Sequence, residues 1–103
     1  VQLPDGARVA EMRAWLQDSN SDRNMVVQLK RCLPASVPLD CDTLGDVRSS
    51  GAVNNSIRTF TDSTIDVPTV DNGSYYYRIE ANPEGSDWNG FVVNGVRIRV
   101  TAP

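Results

Sequence analysis

The chain has 103 residues, a formal charge of −3 and no histidine, and its length is typical of one domain, which we place at residues 1–103. The negative net charge argues against a nucleic-acid partner, because phosphate binding needs a basic patch, and no apolar run is long enough to span a membrane. A chain without histidine cannot build a Ser-His or Cys-His dyad, and no cofactor motif occurs, so we expect neither an enzyme nor a cofactor.

The first third of the chain predicts two strands. After a Leu3-Pro4-Asp5-Gly6 turn, inward and outward positions alternate over residues 7–17. The inward positions are Ala10, Met12, Ala14 and Leu16, and the outward positions are Glu11, Arg13, Trp15 and Gln17. A helix would also place Val9, Met12 and Leu16 on one face. Because every later segment has β character, we predict a strand. A polar turn at 18–24 then leads to a second strand at 25–31, with Met25, Val27 and Leu29 inward.

Cys32 and Cys41 flank a loop that contains Pro34 and Pro38. An even number of cysteines in a turn-rich chain suggests an oxidised, extracellular protein. A disulfide here would close a short loop and add roughly 2–3 kcal/mol of stability. Two unrelated buried thiols are the alternative. We expect no zinc site, because the chain has no histidine and no further cysteine.

The middle of the chain contains shorter β-segments. Residues 43–50 carry Leu44 and Val47, and two short β-segments follow at 57–60 and 65–67. After an Asp71-Asn72-Gly73 turn, the strand at 74–81 points three side chains inward: Tyr75, Tyr77 and Ile79.

The last segment, residues 91–100, contains the dipeptide Asn94-Gly95, which signals a hairpin or a bulge. We predict a bulge or bend at Gly95 within one long strand, because little chain would remain on one side of a hairpin. Seven or eight short strands with regularly spaced turns then predict an all-β, antiparallel β-sandwich of jelly-roll type.

Turn and core tracts follow one another along nearly the whole chain: Leu3-Pro4-Asp5-Gly6-Ala7, Asp18-Ser19-Asn20, Val27-Gln28-Leu29-Lys30-Arg31, Ser49-Ser50-Gly51, Val70-Asp71-Asn72-Gly73-Ser74-Tyr75-Tyr76-Tyr77 and Gly95-Val96-Arg97-Ile98. This order resembles β-sandwich modules of bacterial secreted and surface proteins, some of them trimeric fibre tips. The resemblance implies a non-enzymatic structural or adhesion module, extracellular or on the cell surface, within a longer secreted protein. It also implies a homo-oligomer, with a trimer favoured, and a surface protein or glycan as partner. The cysteine pair and Trp88 are additions to the pattern.

The loop at 82–90 contains Asp87, Trp88 and Asn89. An aromatic face beside polar side chains is typical of sugar binding, and loops on a rigid scaffold often carry binding residues. A small carbohydrate-binding module is therefore the alternative function. The competing interpretation is that Trp88 folds back as an anchor over the core.

Asp18, Asn20 and Asp22 place oxygen atoms at alternate positions, as the start of a calcium loop does. Arg23 and Leu29 stand where an EF-hand needs glycine and glutamate, so an EF-hand is excluded. A looser calcium site is the alternative to a polar turn with Asx hydrogen bonds.

Arginine and aromatic side chains occupy outward positions of the predicted strands: Arg13, Trp15, Tyr76, Arg78, Arg97 and Arg99. If these strands share one sheet, the side chains form an interface, because Arg, Tyr and Trp are enriched where proteins meet. The alternative is a solvated face whose cations pair with Glu11 and Glu80.

Overall fold

The computed structural model describes residues 1–20, 23–35, 37–49, 54–86 and 88–102, and six strands run through them. The strands are β1 (Arg8–Asp18), β2 (Met25–Cys32), β3 (Cys41–Arg48), β4 (Asn54–Asp62), β5 (Tyr76–Pro83) and β6 (Phe91–Thr101), with a 3₁₀ turn at Glu84–Ser86. All strand pairs are antiparallel and form two three-stranded sheets, β4-β1-β6 and β3-β2-β5. The all-β prediction is confirmed, and the described residues contain no helix with the length and hydropathy that crossing a bilayer requires.

The central strands β1 and β2 supply most of the core. The alternating side chains predicted to point inward from them are almost completely buried: Met12, Ala14, Leu16, Met25, Val27 and Leu29. Ala10 differs because the β1–β6 register shifts between Val9 and Glu11, so that Val9 is buried and Ala10 is not. The helical alternative for this segment is therefore wrong.

The connection after β4 explains why the described residues form six strands rather than seven or eight. Residues 65–67 were expected to be a strand, but Val67 has a φ of 44°, which interrupts an extended chain. The backbone N–H of Asp66 donates to the carbonyl of Leu44 at 3.0 Å. Ile65 packs so closely on β3 that a Cβ at Gly45 would lie 3.0 Å from Ile65 Cδ1. Ile65 therefore covers the core from outside the sheets, whereas Asp66 and Val67 are exposed.

β6 is one long strand with a bulge, as predicted. Gly95 pairs with Trp15 and Val93 with Leu16, so Asn94 is the extra residue in β6. The Asn94 side-chain amide donates to Gln17 Oε1 at 3.0 Å. The hairpin alternative is wrong, because both sides of the bulge pair with β1.

The two cysteines are register partners at the ends of β2 and β3, and they form the predicted disulfide. The bond closes the hairpin loop at residues 33–40. The alternative of two separate thiols is therefore wrong.

Candidate functional site

Four of the six predicted interface residues lie together on the outer face of the β4-β1-β6 sheet. The β1–β6 register places Arg13 opposite Arg97 and Glu11 opposite Arg99, and Trp15 follows Arg13 on the same face of β1. We call these five residues the arginine face. Its members come from two adjacent strands that are far apart in sequence, so the sheet itself builds the cluster.

Glu11 is the centre of the arginine face. Its Oε1 lies 3.1 Å from Arg13 Nη2 and 3.7 Å from Arg97 Nη2, and its Oε2 lies 3.7 Å from Arg99 Nη2. The Glu11 side chain is only 12% exposed, whereas those of Arg97 and Arg99 are 52% and 53% exposed. One carboxylate therefore faces three guanidinium groups, and two of these groups present much of their surface to solvent.

Trp15 supports the same cluster from below. The guanidinium carbon of Arg97 lies 5.8 Å from the centre of the Trp15 ring, within the range of a cation–π contact. Arg97 is thus attracted by a ring and a carboxylate at once. Both contacts fix the direction of the guanidinium without burying it.

Tyr76 and Arg78 lie elsewhere, because β5 belongs to the other sheet. The premise that all six residues share one sheet is therefore wrong for these two. Arg78 pairs with Glu80, and Lys30 Nζ lies 2.7 Å from Glu80 Oε2. The hydrogen bond from Lys30 is the main cause of a lowered pKa of Glu80; Arg78 adds to it, and burial opposes it. The charges around Arg78 are therefore paired within the chain.

The loop after β5 leaves its aromatic side chain accessible. Trp88 is 48% exposed, and its backbone carbonyl accepts a hydrogen bond from Phe91 N–H at 3.0 Å. The carbonyl of Asn89 accepts one from the Asn20 side chain at 3.4 Å. Asp87 lies outside the described residues. The loop is thus attached through its backbone, while the indole of Trp88 stays half exposed.

Two of the three calcium candidates, Asp18 and Asn20, make hydrogen bonds within the chain. Asp18 is buried, its Oδ1 accepts from Asn20 N–H at 2.8 Å, and its Oδ2 accepts from the Ser49 hydroxyl. The side-chain oxygen of Asn20 accepts from Arg23 N–H at 3.1 Å. Asp22 lies outside the described residues, and the part of the chain that the structure describes has no cluster of three or more metal-ligating side chains. The Asx hydrogen bonds match the polar turn predicted from sequence.

Comparison of this chain with known protein families, characterised proteins and solved structures finds no match. The chain's own surfaces therefore provide the indications of its function. Among these, the arginine face combines exposed charge with a fixed geometry.

Proposed function

We propose that this chain is a non-enzymatic extracellular module with a structural and adhesive role, and that it assembles with copies of itself through the arginine face. The observation that carries this proposal is the arrangement of three arginines around the nearly buried Glu11, with Trp15 beside Arg97. Arginine and tryptophan are the side chains that most often dominate interface energies. Because Arg97 is already held by Trp15 and Glu11, ordering it on association costs less free energy.

The charge distribution favours contact between two different surfaces of neighbouring copies. Glu11, Arg13, Arg97 and Arg99 sum to +2, so the rest of a chain with a total charge of −3 carries −5. Two arginine faces would repel each other, whereas an arginine face and an acidic surface of the next copy attract. Such head-to-tail contacts can close into rings. This supports the homotrimer that the resemblance to bacterial fibre-tip modules implies.

The finer fold and the location belong to the same proposal. β1 pairs with β6, and β2 pairs with β5, a nested order that supports winding of jelly-roll type. The disulfide between Cys32 and Cys41 supports an extracellular or cell-surface location, because disulfides persist in oxidising compartments. We place the module within a longer bacterial secreted protein.

Sedimentation velocity of Arg97→Glu beside wild type tests the assembly. We expect weaker association, because the substitution places a carboxylate beside Glu11 and removes a cation from the interface. The free energy of unfolding should fall by no more than about 1 kcal/mol, because Arg97 is half exposed and Arg13 and Arg99 still lie beside Glu11. The matched control is Arg58→Glu, an exposed arginine of β4 in the same sheet, which should associate like wild type. A wild type that stays monomeric at high concentration, or equal association of wild type and Arg97→Glu, would refute the proposal.

The half-exposed Trp88 supports a second candidate, a small carbohydrate-binding module. An indole held on an attached loop offers an apolar face on which a sugar ring can stack. A glycan array probed with wild type and Trp88→Ala, each with and without calcium, tests this candidate. Glycan binding that the substitution abolishes would support it, and a blank array at high protein concentration would remove it.

A further inference from the structure

The two long sides of the sandwich are closed to different extents. On one side β3 and β4 contact each other across the sheets, and Ile65 packs on the core between them. The strand orders place β5 and β6 on the opposite side. The inward-facing apolar side chains of β1 and β2 are buried. On the side of β5 and β6, six inward-facing apolar side chains remain only partly buried: Ile79, Ala81, Val93, Val96, Ile98 and Val100.

β6 also has a free backbone edge on this open side. The strand has eleven residues and pairs with β1 along one edge. Within the described part of the chain, the backbone of residues 92–101 makes hydrogen bonds to β1 and to no other segment. A long unpaired edge beside incompletely covered apolar side chains is a template for the addition of another strand.

We propose that the free edge of β6 binds an extended segment of a partner protein in which apolar residues alternate with aspartate or glutamate. Successive side chains of a strand point to opposite faces of the sheet. The apolar side chains of the added strand would cover Val96 and Ile98 from the open side. Its carboxylates would lie on the outer face beside Arg97 and Arg99, which carry the exposed positive charge of β6. Cross-strand pairs of opposite charge stabilise such an addition.

The same charges argue against a second copy as the occupant. In the fully overlapping registers, parallel or antiparallel, two β6 strands would place the Arg97 side chains of both copies opposite or diagonal to each other. Like charges at these positions are destabilising. The proposal does not depend on the self-assembly proposed above, which uses the outer face of the sheet rather than its edge.

Fluorescence anisotropy with labelled peptides tests the proposal, at concentrations where each peptide alone stays monomeric. The probe alternates valine and glutamate. One control peptide alternates valine and lysine, and another carries N-methyl groups that block hydrogen bonding along both edges. We expect the valine–glutamate peptide to bind at least about tenfold more tightly than either control. The lysine peptide would place two cations beside Arg97 and Arg99 in place of two carboxylates. The N-methylated peptide would lose the backbone hydrogen bonds to β6.

Substitutions then locate the site. The double variant Arg97→Glu/Arg99→Glu should prefer the lysine peptide, whereas Arg58→Glu on the opposite edge of the sheet should bind like wild type. Hydrogen exchange measured by NMR should show slower exchange for β6 amides when the glutamate peptide is bound, and this readout requires no variant. Absence of binding, equal binding of the N-methylated peptide, or protection confined to β4 would overturn the proposal. If wild type binds the glutamate peptide but stays monomeric at all concentrations, binding at the β6 edge is supported and self-assembly through the arginine face is refuted.

Discussion

At the scale of single residues, Glu80 shows how a paired carboxylate links stability to pH. Its pKa lies below the ordinary value of 4.5, chiefly because Lys30 donates a hydrogen bond to it, with Arg78 adding to the effect and burial opposing it. A carboxylate with a lower pKa in the folded than in the unfolded chain favours folding where it is ionised. This stabilisation is complete above pH 4.5 and is lost as the pH falls through the lower, folded pKa.

We therefore expect Glu80→Gln to lower the free energy of unfolding at neutral pH, with a deficit that shrinks as the pH falls below 4.5. Urea denaturation at a series of pH values measures this difference. Asp66→Asn, at an exposed carboxylate, is the control and should follow the wild-type curve. A Glu80→Gln deficit that stays constant down to strongly acidic pH would show that the carboxylate contributes nothing through its charge.

Local alternation along a strand predicts the burial of single side chains. Met12, Leu16 and Leu29 are buried as predicted, because the pattern of a strand with one covered face repeats every two residues. The partnership of Asp18 and Ser49 was missed. The Ser49 hydroxyl accepts from Met25 N–H at 2.8 Å and donates to Asp18, which precedes it by 31 positions. No local pattern marks such a contact, since it exists only once β1, β2 and β3 are packed.

At the scale of elements, the sequence predicts the bulge in β6, which lies next to a glycine, but not the bulge in β1, which does not. Gly95 signalled the irregularity in β6, whereas the β1 bulge at Ala10 carries no glycine or proline. The prediction of a strand at residues 65–67 is wrong, because a short alternating segment has the same pattern whether it pairs in a sheet or only places one side chain, here Ile65, on the core. Tertiary packing on Gly45 decided the outcome.

The β2–β3 hairpin gives the prediction at this scale. We expect the double variant Cys32→Ser/Cys41→Ser to lose about 2–3 kcal/mol of unfolding free energy, because the unfolded chain gains the freedom of the opened loop. Guanidinium denaturation with and without reductant measures the loss. Reductant should destabilise wild type to a similar degree and leave the variant unchanged. Equal stability of oxidised and reduced wild type would contradict a stabilising role of the bond.

At the scale of the whole molecule, strand order decided which outward residues form a surface. Alternation along β1, β5 and β6 predicted the outward positions of Arg13, Tyr76 and Arg97, but not that β5 lies in the other sheet. Pairing partners depend on the crossing of connections between sheets, which a local pattern does not encode. The arginine face is therefore smaller than the predicted surface, and its net charge of +2 is lower than the +4 of the six predicted residues.

The two tryptophans distinguish assembly through this face from other contacts. Trp15 lies beneath Arg97, whereas Trp88 is half exposed in a loop. We expect acrylamide quenching of Trp15, measured in Trp88→Phe, to weaken as protein concentration rises, because a neighbouring copy would cover the arginine face. Quenching of Trp88, measured in Trp15→Phe, should stay constant with concentration. Arg97→Glu added to Trp88→Phe should remove the concentration dependence. If Trp88 is the residue that becomes shielded while Trp15 does not, the copies associate through the loop and our assignment of the interface is wrong.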